Sequence, residues 1–171
     1  VWSTHFGEET EDFVHDIVVD RSGNITVGGR ITRYAAIWRS SYVRHFDPDG
    51  ALNTSRLYGG WSSSWQVEIF GDETAVNALA LDADDNLYIA GTRIDTCIHP
   101  SGRRFFDGEF DWATCRPHYL RTLDSTGVQQ SMQVFRSYRV YDSAPVGLAV
   151  DPVTHDATMV GYGFARRVAS D

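Results

Sequence analysis

Ala75-Val76-Asn77-Ala78-Leu79-Ala80-Leu81-Asp82-Ala83-Asp84-Asp85-Asn86-Leu87-Tyr88-Ile89-Ala90-Gly91-Thr92-Arg93 is the stretch that decides the fold. Two alternating apolar segments, Val76 to Leu81 and Leu87 to Ala90, flank an Asp/Asn-rich turn and close on Gly91, which is how a β-hairpin is written. The same phrase stands twice more. One copy runs His15-Asp16-Ile17-Val18-Val19-Asp20-Arg21-Ser22-Gly23-Asn24-Ile25-Thr26-Val27-Gly28-Gly29, and the other runs Val146 to Asp151 and, after one extra turn residue, Ala157 to Gly161. From Asp20 to Asp82 is 62 residues and from Asp82 to Asp151 is 69, so loops vary while strands do not.

Outward from that hairpin, period-2 alternation and turn signals recur, and no 3.6-residue period persists over ten residues. The chain is therefore expected to be all-β. In the first copy the strands are Val14 to Val19, Ile25 to Gly29, Tyr42 to Phe46 and about Leu52 to Tyr58, with Tyr34 and Trp38 placed in a loop. Asp47-Pro48-Asp49-Gly50 closes the second hairpin, Pro and Gly standing where a tight turn wants them. In the second copy the third and fourth strands are His118 to Leu123 and about Val128 to Phe135, joined by Asp124-Ser125-Thr126-Gly127. The third copy gives two strands and the start of a third at Phe164 to Val168. Trp2 to Phe6 matches a fourth strand, because Phe6-Gly7 aligns with Tyr58-Gly59.

The bulk numbers narrow the function. With 42% apolar and 13% aromatic residues in 171, the chain is expected to fold as one domain of ordinary size. A net charge of -8 argues against a nucleic-acid partner, which demands a basic face. All fifteen basic residues are Arg, as a GC-rich genome would give. No window approaches eighteen apolar residues, so no membrane span is expected. The chain opens on Val1 in strand-like sequence without Met, which reads as a mature or excised piece of something longer.

Four-stranded units at this period are the grammar of β-propeller blades. The wording is more specific: Tyr58-Gly59-Gly60, apolar-Ala-apolar-Asp ending at Asp82, Asp85-Asn86-Leu87-Tyr88-Ile89-Ala90-Gly91-Thr92, Tyr-apolar-Arg, and Asp47-Pro48-Asp49-Gly50 resemble the bacterial β-propeller repeat called the SBBP repeat. The resemblance spans most of the chain outside the loops 30–41, 61–74 and 93–117, and the third copy departs from it at Asp151-Pro152-Val153-Thr154-His155-Asp156. It implies a single propeller segment over 1–171: a blade end at 1–7, blades at 8–60 and 61–135, and a partial blade at 136–171. It implies a secreted, periplasmic or cell-surface bacterial protein, a non-catalytic scaffold or binding module for protein or glycan, and no known catalytic set. The partner is then another protein or the remaining blades of the same protein, since so few blades cannot close a ring and leave edges and faces exposed. An accessory subunit of an extracellular assembly or filament, and a fragment of a propeller lyase or hydrolase, are the alternatives.

Four constellations bear on chemistry. Asp82, Asp84, Asp85 and Asn86 are hard oxygen donors of the kind Ca²⁺ takes. They lack the distal bidentate Glu of an EF-type loop, and repeat one has Arg21 and Ser22 in the same turn, so turn chemistry accounts for them without a metal. Cys97 and Cys115 share one polar loop; bridged, they close about 19 residues, worth roughly 3 kcal/mol in the chain-entropy model, and favour an oxidising compartment. Their spacing to His99 and His118 is unusual for a Cys2His2 zinc site. No Gly-x-Ser-x-Gly elbow occurs, and the carboxylates at Glu8, Glu9, Glu11 and Asp12 read as a solvated acidic loop before the first strand.

The remaining constellation is aromatic. Arg103, Arg104, Phe105, Phe106, Phe110 and Trp112, with Trp61 and Trp65 in another loop, have the Arg-and-ring composition of interface hot spots. The same rings would equally serve to cover the rim of their own sheet. No cofactor is implied beyond the Ca²⁺ reading.

Overall fold

The computed structural model describes Ser3 and residues 11–33, 38–58, 73–93, 117–135 and 144–170. Within them every regular element is a strand: β1 (Glu11–Val19), β2 (Ile25–Arg33), β3 (Trp38–Phe46), β4 (Leu52–Tyr58), β5 (Glu73–Leu81), β6 (Leu87–Arg93), β7 (His118–Leu123), β8 (Gln129–Phe135), β9 (Pro145–Val150), β10 (Ala157–Gly161) and β11 (Phe164–Val168). They form three antiparallel meanders, β1-β2-β3-β4, β5-β6-β7-β8 and β9-β10-β11, in an open row among the described residues. No helix there is long and apolar enough to cross a membrane.

Five hairpin turns share one construction. In each, the Asp amide and the carbonyl of the last turn residue bond across the hairpin, as Asp20 N does to Asn24 O at 3.0 Å and Asp82 N to Asn86 O at 3.2 Å. The residue before that last one takes the left-handed conformation: Gly23, Gly50 and Gly127 do so at φ between 82° and 87°, while Asp85 and His155 do so at 61° and 58°. Asp tolerates this conformation better than a branched residue would, which is why a turn Asp replaces Gly here. His155 holds the same place in the third copy because the extra residue lies ahead of it, and its amide bonds to Asp151 O at 2.9 Å.

The loop expected to contain Trp38 is shorter than the apolar pattern suggested. Strands β2 and β3 run on past Gly29 and begin before Tyr42, pairing as far as Arg33 with Trp38. Backbone pairing here outlasts the alternation of apolar side chains, because ladder bonds need no apolar residue. Strand β1 likewise begins at Glu11, three residues ahead of the apolar pattern.

A glycine-aromatic lock recurs in every sheet. Gly29 in β2 lies opposite Tyr42 in β3, and Gly91 in β6 lies opposite Tyr119 in β7. A Cβ at Gly91 would collide with the Ala75 carbonyl oxygen and lie 2.6 Å from the Tyr119 ring. The ring thus fills the space the glycine leaves, and Tyr119 donates its hydroxyl to Ala75 O at 3.3 Å, as Tyr42 does to Phe13 O at 3.3 Å. In the third sheet Phe164 packs over Gly161 in the same way without the hydroxyl.

The sheets stack face to face in one sense. Val76, Leu79, Leu87, Ile89, Tyr119 and Leu123 of the second sheet pack with Val18 and Val43 of the first. The opposite face of the second sheet, with Ala78, Ala80, Tyr88, Ala90 and Leu120, receives Leu148, Val150, Ala157 and Met159 of the third. At Gly28 a Cβ would lie 2.5 Å from Val76 Cγ1, so the backbones come close where the receiving residue is smallest. The contacts concentrate on the first strands: β5 lies against β1, β2 and β3, and β9 against β5 and β6.

Candidate functional site

Two layers of polar contacts stitch the sheets along their first strands. The inner layer begins with a β-bulge, which leaves backbone groups of one strand without a ladder partner. Strand β1 is irregular between Val14 and Asp16, and β5 between Val76 and Ala78. The third sheet is irregular at the matching place, between Val160 and Gly161 opposite Gly147 and Pro145. At the β5 bulge the first sheet supplies the partners. His15 Nδ1 donates to Val76 O at 2.7 Å, which fixes its proton on Nδ1 since a carbonyl only accepts. Asp16 Oδ2 accepts the Leu79 amide at 2.7 Å, while its Oδ1 accepts the amide of Ile17 at 2.8 Å.

The outer layer lies in the Asp turns. Asp82 has a fully buried side chain. Its Oδ1 accepts the amides of Asp84 at 2.8 Å and Asn86 at 2.9 Å, and its Oδ2 accepts the Asn86 side-chain amide at 2.8 Å. His155 of the third sheet donates from Nδ1 to the same Oδ2 at 3.0 Å. The Tyr88 hydroxyl spans the seam, 3.5 Å from that oxygen and 3.3 Å from His155 O. On the other side, Arg21 of the first sheet pairs with Asp85 at 2.8 Å through Nε, and its amide donates to the same carboxylate at 3.3 Å. The second turn is thus tied to both neighbours.

These bonds set the electrostatics. Burial pushes the Asp82 carboxyl up, but the Asn86, His155 and Asp84 donors outweigh it and hold the group below the usual Asp value. Asp20 behaves alike, its burial outweighed by the Asn24, Ser22 and Gly23 donors. Burial first, then the Asp82 charge, raises the Tyr88 hydroxyl. The bond to Asp85 raises Arg21 further.

The four residues read as a Ca²⁺ candidate do not aim at one point. Asp82 and Asn86 bond to each other, Asp85 turns to Arg21, and the Asp84 side chain is 70% exposed. The group that does converge is Asp82, Asp84 and His155, whose ligand atoms lie within 4.8 Å of one another. Its imidazole, however, presents Nδ1 to Asp82 and Nε2 to Asp84, at 3.0 and 4.0 Å. Only the Nδ1 contact is within hydrogen-bond reach, so the ring ties the third turn to the second through Asp82.

The other expected residues, Cys97, Cys115, Trp61, Trp65, Arg103, Arg104, Phe105, Phe106, Phe110 and Trp112, and the strand expected at Trp2 to Phe6 apart from Ser3, lie outside the described residues. His15, Asp16, Arg21, Tyr88 and His155 were not expected as a group. Their partners stand 61 to 73 residues away, except for the Tyr88 contact to its own turn. The one local sign was the extra residue in the third turn, which carries His155 across the seam.

No family model matches the chain, and no curated protein matches it.

Proposed function

We propose that this chain is a non-catalytic β-propeller segment of a secreted or surface-exposed bacterial protein, built from SBBP-like repeats, that presents its variable loops to a protein or glycan. The observation that carries this reading is the shared build of successive sheets: the same kind of turn, a bulge at the matching place and a glycine-aromatic lock recur while the connections between strands change length. Invariant sheets with variable connections are how a scaffold carries a binding surface. In the described seam His15, Asp16, Arg21, Asp82, Asp85 and His155 each bond from one sheet to the next, which is structural work. On this reading the sheets are blades, the first strands line the inner side, and the aromatic loop with Phe105, Phe106 and Trp112, closed by a Cys97 to Cys115 disulfide, is the recognition element.

The experiment is a comparison of the immobilised chain with its Phe105→Ala, Phe106→Ala, Trp112→Ala triple variant. Both are exposed to a glycan array and to bacterial surface extract, with circular dichroism as the control for folding. Ligand retained by the parent and lost by an equally folded triple variant supports the reading. Equal retention by both, or turnover of a polysaccharide by the chain alone, overturns it.

A further inference from the structure

The two interfaces inside the chain are of one kind, and each end of the row carries half of another. At both interfaces the first strand of the following sheet sets branched apolar residues against the preceding one, whose face there includes Gly28 in the first sheet and Ala78, Ala80 and Ala90 in the second. Those residues are Val76, Leu79 and Leu81 from β5, and Leu148 and Val150 from β9. In the first sheet the residues that hold the same turn-relative places are Val14, Ile17 and Val19. They are 54, 56 and 58% exposed, whereas Val76 and Leu79 are 0 and 4% exposed. Three branched apolar side chains in a line on one strand, half open to water, are an interface lacking its partner.

The receiving half is at the other end. The places of Ala78, Ala80, Tyr88 and Ala90, which receive the third sheet, are held in that third sheet by Gly147, Ala149, Thr158 and Val160. Ala149 and Thr158 are exposed, and Val160 is 39% exposed. Gly147 and Ala149 keep this face low along its first strand, as Gly28 does where the first sheet receives Val76.

We infer that a second copy of this chain docks head to tail, its β1 strip of Val14, Ile17 and Val19 seated on the outer face of β9 and β10 at Gly147, Ala149, Thr158 and Val160. The contact continues an interface the chain already makes twice, and it needs a surface of each kind from different copies. Such a contact is heterologous: it grows into a chain of copies or closes into a ring. It depends on the same-sense stack and not on the sheets being propeller blades, so it stands or falls separately from the reading above.

The test is light scattering with size-exclusion chromatography across a concentration series of the 171-residue chain and two variants, Ile17→Arg and Ala149→Arg. Both positions are exposed, so each variant is expected to keep the parent's circular dichroism and thermal midpoint. The parent is expected to associate with rising concentration, and each variant to stay monomeric, because each lacks one half of the contact. Mixing the two restores one intact pairing, so the mixture should form dimers that grow no further. A parent that is monomeric throughout overturns the inference. So does association that survives either substitution, or a mixture that stays monomeric.

Discussion

Replacing Asp82 by Ala removes more than a turn residue, and the chain contains its own control. Asp20 makes the same turn bonds, to the amides of Ser22 and Asn24 at 2.9 and 2.8 Å and to the Asn24 side chain at 2.7 Å, with no partner across a seam among the described residues. Loss of those bonds, with the freed amides able to find water, is expected to cost about 1 to 2 kcal/mol for Asp20→Ala. Asp82→Ala loses the same set plus His155 at 3.0 Å, from a side chain that is fully buried. A charge-assisted bond is worth about 1.5 to 3 kcal/mol. The His155 ring is 35% exposed, and solvent screening there brings the expected coupling down to about 1 kcal/mol.

The assay is a double-mutant cycle of Asp82→Ala and His155→Ala, read from urea unfolding at pH 7 followed by circular dichroism. The coupling should fade in acid. Asp82 is held below its usual value in the fold, so its contribution is present above the unfolded Asp value near 3.8 and is lost as pH falls through the lowered folded one. A coupling within about 0.3 kcal/mol of zero at pH 7, or Asp20→Ala costing as much as Asp82→Ala, would refute the claim that this turn ties two sheets together.

Gly91→Ala is expected to be among the most damaging single changes, costing on the order of 3 kcal/mol or more, since the methyl meets the Ala75 carbonyl and the Tyr119 ring; thermal unfolding measures it, and a loss under about 1 kcal/mol would argue against the lock. Tyr119→Phe at the same site should cost only about 0.5 to 1.5 kcal/mol, for one hydroxyl bond to Ala75 O, as the native Phe164 in the third sheet already suggests. Asp12→Asn should stabilise by roughly 1 kcal/mol, because both Asp12 carboxylate oxygens are buried without a hydrogen-bond partner among the described residues; an unchanged or lowered urea midpoint would contradict this. The whole chain should lose stability below about pH 4. Asp20, Asp82, Asp124, Asp151 and Asp156 are all held low by their donors, and every such group favours the fold only while ionised.

Much of this fold was written locally. The Asp that opens each turn accepts on its carbonyl the amide three or four residues on, and in three of the five a Gly supplies the left-handed residue, so the hairpins at Asp20, Asp47, Asp82, Asp124 and Asp151 could be read from neighbours alone. Gly91 followed by Tyr119 was legible as a pattern, although its cause, a ring in the space of a missing Cβ, is a property of paired strands. The early start of β3 at Trp38 was not legible, because ladder pairing between Arg33 and Trp38 leaves no apolar alternation behind. Nor were the bulges: an extra residue at His15 or Asn77 breaks the period of two without announcing which residue is extra.

The seam was the least legible part. Whether His155 reaches Asp82 depends on which residue of a six-residue turn takes a positive φ and on how two sheets are set face to face. The acidic run from Asp82 to Asn86 drew attention as a metal loop for the right reason, its density of oxygen atoms. The fold uses those oxygens for amides of its own turn, for Arg21 on one side and for His155 on the other.

The central claim is that the three sheets stack in one sense through their first strands. Nuclear Overhauser spectroscopy on the isotope-labelled chain tests it most directly, at one contact per interface. Cross-peaks are expected from the Gly28 α-protons to a Val76 methyl, where a Cβ on Gly28 would lie 2.5 Å from Cγ1, and between the rings of His118 and Phe164, stacked at 4.6 Å. Absence of both, in a sample whose within-sheet cross-peaks are intact, would show three sheets that do not stack this way.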